Sequence, residues 1–155
     1  MKLQSSSRLR GAAGFTLVEL LTTIMIVGIL ASIAVPAYTS QTRKSRRTEA
    51  KTALLDLAGR EERLFSTTNT YSLAPSDLGY GVAAATFPMN VGSGYYSVSV
   101  AVSVGPPASY TITATPVTGK GQEKDNKCAS FKVVQTGKQS SLDSSGNDSS
   151  DSCWG

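Results

Sequence analysis

One carboxylate stands inside an otherwise uncharged apolar run: Glu19, within FTLVELLTTIMIVGILASIAV at residues 15–35. An ionisable group in such a run costs a few kcal/mol in lipid and demands a partner. Its simplest reading is a carboxylate near a membrane interface, snorkelling or protonated. Its position suggests more. Phe15 lies four residues earlier and follows Gly14. Cutting the Gly14–Phe15 bond would create an ammonium group one helical turn from Glu19. In a bundle of such helices, that cation on one subunit could meet Glu19 of its neighbour, so that each charge is neutralised only after assembly. A buried pair of this kind would fix axial register as well as stability.

Other chemistry-bearing residues are sparse. The chain has no histidine, which removes the commonest general base and the commonest metal ligand. Glu61 and Glu62 are adjacent, so they do not share a helix face as an acid–base pair. There is no phosphate-binding glycine loop, no cofactor motif and no metal site, and an enzyme is not expected. The two cysteines, Cys128 and Cys153, could be a disulfide or two free thiols, and nothing is available to complete a zinc site with them. The membrane-directed N-terminus favours the disulfide. Lys120, Lys124, Lys127, Lys132 and Lys138 cluster near Phe131 and Trp154 and could engage the phosphates of DNA. Glu123, Asp125, Asp143, Asp148 and Asp151 interleave with them, which also fits a solvated loop of mixed charge. The net charge of +4 adds little, because Lys2, Arg8 and Arg10 precede the apolar run and leave the remainder close to balance.

These residues need elements to hold them. Residues 1–14 are basic and polar. Residues 15–35 would form a helix of about 30 Å, enough to cross a bilayer. A secretory signal has a shorter apolar core, roughly 7–15 residues, and would not carry Glu19. After Pro36 the helical composition persists to about residue 66. Ala50, Leu54, Leu57, Leu64 and Phe65 recur at near-helical spacing, with Arg60 and Glu61 assigned to other faces. Pro36 should kink or locally break this helix. Residues 67–94 are a turn-rich connection. Period-two alternation then predicts strands at 96–104 and 109–115, paired as an antiparallel hairpin across Gly105-Pro106-Pro107-Ala108. A third strand is expected at 129–135, with Phe131 and Val133 facing in. The Ser- and Asp-rich tail could not bury enough apolar surface to stay ordered alone. A Cys128–Cys153 bond would tie it back.

The stretch Gly14-Phe15-Thr16-Leu17-Val18-Glu19-Leu20, followed by the apolar run, resembles the class III leader junction of type IV pilins and pseudopilins. The resemblance implies that a membrane-embedded peptidase cuts after Gly14 and that Phe15 becomes the N-methylated first residue. It makes Glu19 the fifth residue of the mature chain, needed for assembly. Gly28 and Pro36 match the helix-weakening positions of that family. A mid-helix glycine costs about 1 kcal/mol and a proline about 3. Gly28 could equally allow close helix packing in lipid. Arg60-Glu61-Glu62-Arg63-Leu64-Phe65, Tyr71-Ser72, Leu78-Gly79, Tyr110–Pro116 and the closing Cys153-Trp154 are similar to the PilE-like minor pilins. In that group the two cysteines bracket the C-terminal loop of a four-stranded head. Residues 139–143 are the one candidate here for a fourth strand.

The implied fold is α+β: a long N-terminal helix packed on a small antiparallel sheet. Its parts are a leader at 1–14, an apolar assembly half at 15–36, an amphipathic half at 37–66 and a head at 67–155. The implied function is structural, a pilus subunit, with DNA capture by the head or a place in a type II secretion system as alternatives. Implied partners are other pilin subunits, the prepilin peptidase and the inner-membrane assembly platform. Lys2, Arg8 and Arg10 favour a cytoplasmic N-terminus, whereas Arg43, Lys44, Arg46 and Arg47 argue the other way. A disulfide would place the head outside the cytoplasm, in the periplasm before assembly and on the extracellular pilus after it.

Overall fold

The computed structural model describes residues 14–81 and 86–154. Apart from Gly14, the expected leader lies outside the described residues. The chain divides into two units, residues 1–39 and 40–155. Helix α1, Leu17–Thr68, contributes to both.

In the first unit, Thr16 caps α1. Its hydroxyl accepts the Glu19 N–H at 3.2 Å, and its carbonyl accepts the Leu20 N–H at 3.2 Å. Thr16 and Glu19 thus hold the N-cap and N3 positions of a capping-box sequence, where a carboxylate also complements the helix dipole. The residues from Phe15 to Val35 are all exposed. Among the described residues nothing covers them, and α1 is long and apolar enough to cross a membrane. The break expected at Pro36 is absent, because α1 runs uninterrupted through Gly28 and Pro36. A proline removes a single N–H donor from the ladder, and Ala34 and Ala37 beside it are strong helix formers. Hydroxyls also bond backward along this stretch, Ser32 to the Ile29 carbonyl at 2.7 Å and Thr39 to the Pro36 carbonyl at 2.9 Å.

In the second unit, α1 presents Ala50, Leu54, Leu57, Ala58 and Glu61 to the core. Glu61 therefore does not lie on another face. It continues the 50–54–57 stripe by one more step of four and is fully buried. Asn69, in the left-handed region at φ 57°, ends the helix and donates to the Phe65 carbonyl at 2.8 Å, as a residue just past a C-cap does.

The sheet has five strands rather than four: β1 Met89–Val91, β2 Tyr96–Ser103, β3 Ser109–Pro116, β4 Ser130–Val134 and β5 Gln139–Leu142. It is an antiparallel meander in the order β1-β2-β3-β4-β5. The β2–β3 hairpin, the third strand and the inward Phe131 and Val133 match expectation. β5 occupies the fourth-strand candidate at 139–143. β1, inside the connection, was not expected. Tyr96 and Val98 of β2, Tyr110, Ile112 and Ala114 of β3, and Phe131 and Val133 of β4 fill the core against α1. The opposite face is mostly hydroxyls: Ser97, Ser99, Thr111, Thr113 and Ser140.

The tail is ordered by polar bonds rather than by burial. Asp143 accepts the N–H groups of Ser145 and Asn147 at 2.8 and 2.9 Å. Asp148 caps a short helix, α2, Ser150–Trp154, by accepting the Ser150 N–H at 2.8 Å. Cys128 and Cys153 form a disulfide. Beside it Trp154 packs edge-on against Phe131 and donates from Nε1 to the Ser140 carbonyl at 2.9 Å.

Candidate functional site

Two groups of residues stand out: the N-terminal junction and the lysine-bearing loops of the head.

At the junction, Gly14 precedes the helix in open space, with nothing within 4 Å of a Cβ built on it. Phe15 is 80% exposed. Glu19 sits in the first helical turn, and its carbonyl accepts the hydroxyls of Thr22 and Thr23 at 3.0 and 2.7 Å. No cation pairs with its carboxylate among the described residues. A Cβ on Gly28 would likewise meet nothing within 4 Å among the described residues.

In the head, Lys120, Lys124 and Lys127 are exposed on the segment between β3 and β4, and Lys138 is exposed in the β4–β5 turn. Lys132 lies on the hydroxyl face of the sheet, opposite Thr113 and Ser140 in register. The five lysines therefore do not form one patch. Phe131 is fully buried and cannot stack on a base. Trp154 is half-buried and committed to Phe131 and Ser140.

The β3–β4 segment is held by contacts that sequence reasoning did not find. It contains a single 3-10 turn, Gln122–Lys124. Asp125, just after the turn, takes both oxygens to Arg47 of α1, at 2.6 Å each. Asp125 is 4% exposed and Arg47 16%. Gln122 Nε2 donates to Asp125 at 3.1 Å and to the Tyr96 hydroxyl at 3.0 Å. Burial pushes the Tyr96 phenol up to about 12, with the Gln122 bond opposing it. Asp125 is thus an anchor to α1 and not a counter-charge for the neighbouring lysines. The partners are too far apart in the chain for any spacing signal.

Glu61 is a second residue that the sequence misplaced. One carboxylate oxygen accepts the Ser72 N–H at 3.1 Å, and the other has no hydrogen-bond partner among the described residues. Desolvation raises its pKa, the Ser72 bond lowers it, and the charges of Glu62 and Asp77 raise it further. It ties α1 to the connection at Ser72, whose hydroxyl donates to Asp77 at 2.6 Å. Among the described residues no cluster of His, Cys, Asp and Glu could hold a metal.

Comparison with known proteins agrees with this arrangement. A family model described as type IV minor pilin ComP, DNA uptake sequence receptor, matches residues 36–132. Another, described as a prokaryotic N-terminal methylation motif, matches residues 9–35. The chain is 39% identical over 67 residues to the type IV major pilin protein PilA of Myxococcus xanthus (strain DK1622), covering 43% of this chain and 30% of that protein. It is 39% identical over 105 residues to the fimbrial protein EcpC of Eikenella corrodens, covering 66% and 61%. It is 36% identical over 92 residues to the type IV major pilin protein PilE1 of Neisseria gonorrhoeae, covering 59% and 40%. The matched stretches span less than two thirds of each relative's own length. The family match at 36–132 takes in more than half of the chain and falls on the second half of α1, strands β1–β3, the anchored loop and the start of β4. On that ground the chain belongs to the type IV pilins, in the family described as type IV minor pilin ComP, DNA uptake sequence receptor.

Proposed function

We propose that this chain is made with a leader ending at Gly14, is cut before Phe15 and methylated there, and enters a type IV pilus as a minor subunit whose head binds DNA. The observation that carries this reading is the family match at residues 36–132, whose description names a DNA uptake sequence receptor. The exposed apolar surface from Phe15 to Val35 supports the first half of the proposal. So large an apolar surface needs lipid or other helices to cover it. Glu19 then pairs with the new amine of an adjacent subunit, and Gly28 and Pro36 are the positions where the helix yields during packing. The prepilin peptidase, an inner-membrane assembly platform and other pilins are its partners. The subunit crosses the inner membrane once, with its head in the periplasm, before joining the pilus.

Mass spectrometry of protein from sheared pili tests the processing step. The expected chain begins at N-methylated Phe15, and an N-terminus retaining Met1 would refute it. DNA capture is tested with the full chain in neutral-detergent micelles and a short labelled duplex. Binding should weaken steeply with salt, and no binding at low salt would remove this half of the proposal. The relatives named as major pilins favour a second reading, a subunit that builds the filament shaft. Abundance in sheared filaments separates the two.

A further inference from the structure

Ten of the fifteen basic residues fall in two segments, Arg43–Lys51 on the helix and Lys120–Lys138 in the head, and the fold brings parts of them together. A groove of about 320 Å³ is lined by Lys44, Arg47, Thr48, Lys51, Ser152 and Cys153. Positions 44, 47, 48 and 51 share one face of α1. No carboxylate lines the groove. Arg47 is turned to Asp125 at 2.6 Å, and that bond draws the Lys124–Lys127 segment against this face of the helix. The disulfide side does the same, since Cys153 Sγ lies 3.4 Å from the Lys127 carbonyl oxygen. Lys51 Nζ donates to the Cys153 carbonyl at 3.1 Å and is therefore held by a neutral group. Lys44 is exposed and makes no ion pair among the described residues. Lys44 and Lys51 thus line a concave, hydroxyl-bearing groove that holds no carboxylate of its own, although Lys44 also borders a neighbouring groove containing Glu49 and Asp56; Lys124 and Lys127 are exposed beside it.

We infer that this groove binds a phosphodiester oxyanion of DNA, and that Lys44, Lys51, Lys124 and Lys127 form one phosphate-contacting track across α1 and the β3–β4 segment. The inference rests on the DNA-binding reading above. It names a surface that the sequence did not: the helix supplies half of it, whereas Lys132 and Lys138 lie outside it. Each lysine that neutralises a phosphate releases condensed counterions, so its loss lowers the salt slope by about 0.9 for duplex DNA.

The test measures fluorescence anisotropy of a short labelled duplex against the full chain in neutral-detergent micelles over a salt series. Lys44→Gln should weaken binding roughly threefold to tenfold near 0.1 M salt and lower the log–log slope by about 0.9. Lys124→Gln with Lys127→Gln should lower it by about 1.8, and Lys138→Gln should leave it unchanged. If the parent binds DNA and Lys44→Gln matches it in affinity and slope, the inference fails while the DNA reading stands. If the parent binds no DNA, both fail as stated. A titration with inorganic phosphate, read at the Thr48 and Ser152 amides, then shows whether an oxyanion site remains. If Lys44→Gln lowers binding to anionic phospholipid vesicles but not to DNA, the groove belongs to lipid and the inference is overturned.

Discussion

The bond between Arg47 and Asp125 gives the sharpest test of how the head is held together. Replacing Arg47 with alanine removes two charge-assisted hydrogen bonds of 2.6 Å. It strands a carboxylate that is 4% exposed, leaving only Gln122 Nε2, at 3.1 Å, as its partner. Breaking one side of a buried ion pair costs roughly 3–5 kcal/mol, mostly as the penalty of leaving the other charge unpaired. Arg47 retains some solvent contact, so the lower end applies, about 3 kcal/mol. For a domain of this size that corresponds to a fall in Tm of roughly 10 °C. The assay is thermal unfolding of the full chain in neutral-detergent micelles with the disulfide intact, followed by Trp154 fluorescence. Arg47→Lys keeps the charge but loses the planar fork and should fall between parent and Arg47→Ala. Adding Asp125→Ala to Arg47→Ala should recover part of the loss, because no charge is then stranded. An Arg47→Ala protein melting within about 2 °C of the parent would mean that the pair holds nothing and that the anchoring argument is wrong.

Three further outcomes follow from the same structure. Cys128→Ser with Cys153→Ser frees a loop of 25-residue separation and should cost about 3.5 kcal/mol in the chain-entropy model; a denaturant midpoint within error of the parent's would contradict it. Glu61 has a folded pKa raised by burial, so its proton is held more tightly in the folded state. The stability this contributes is present below the unfolded carboxylate value and is lost as pH rises through the raised one. Relative to Glu61→Gln, the parent should therefore lose stability from acidic toward neutral pH, and parallel curves of denaturant midpoint against pH would refute the burial argument. Glu19→Ala should leave the head folded and the chain membrane-inserted yet lower its recovery in sheared pili, since the core lies in residues 50–153; normal recovery would remove the pairing proposal.

The parts that the sequence made legible are those whose signal is local. The apolar run at 15–35 reads directly as a helix with nothing of its own to pack against. Alternation in β2 and β3 fixes which side chains face in, and two cysteines with no rival ligand point to their bond. What stayed hidden depends on contacts between distant residues. β1 has three residues and takes its place from pairing with Tyr96–Val98, which composition cannot reveal. β5 is Gln-Ser-Ser-Leu, a poor strand on propensity, held by β4 on one side and by Ser149 and Ser150 on the other. Glu61 lies four on from Leu57 and so on the core face, a place its charge masks because carboxylates are normally solvent-facing. Asp125 sits among lysines in the sequence, and only the fold sets it against Arg47.

The meander order of the sheet bears on how the head forms. Each strand pairs with the one immediately before it in the chain, so the sheet can grow one hairpin at a time without waiting for a remote strand. Low sequence separation between paired strands favours rapid folding. In the orientation proposed above, the head would leave the membrane beginning with the residues next to the apolar segment, and its sheet could zip in chain order as residues emerge. The disulfide and the bond from residue 125 back to residue 47 would then serve as closing fasteners, locking a shape already assembled from its own neighbours.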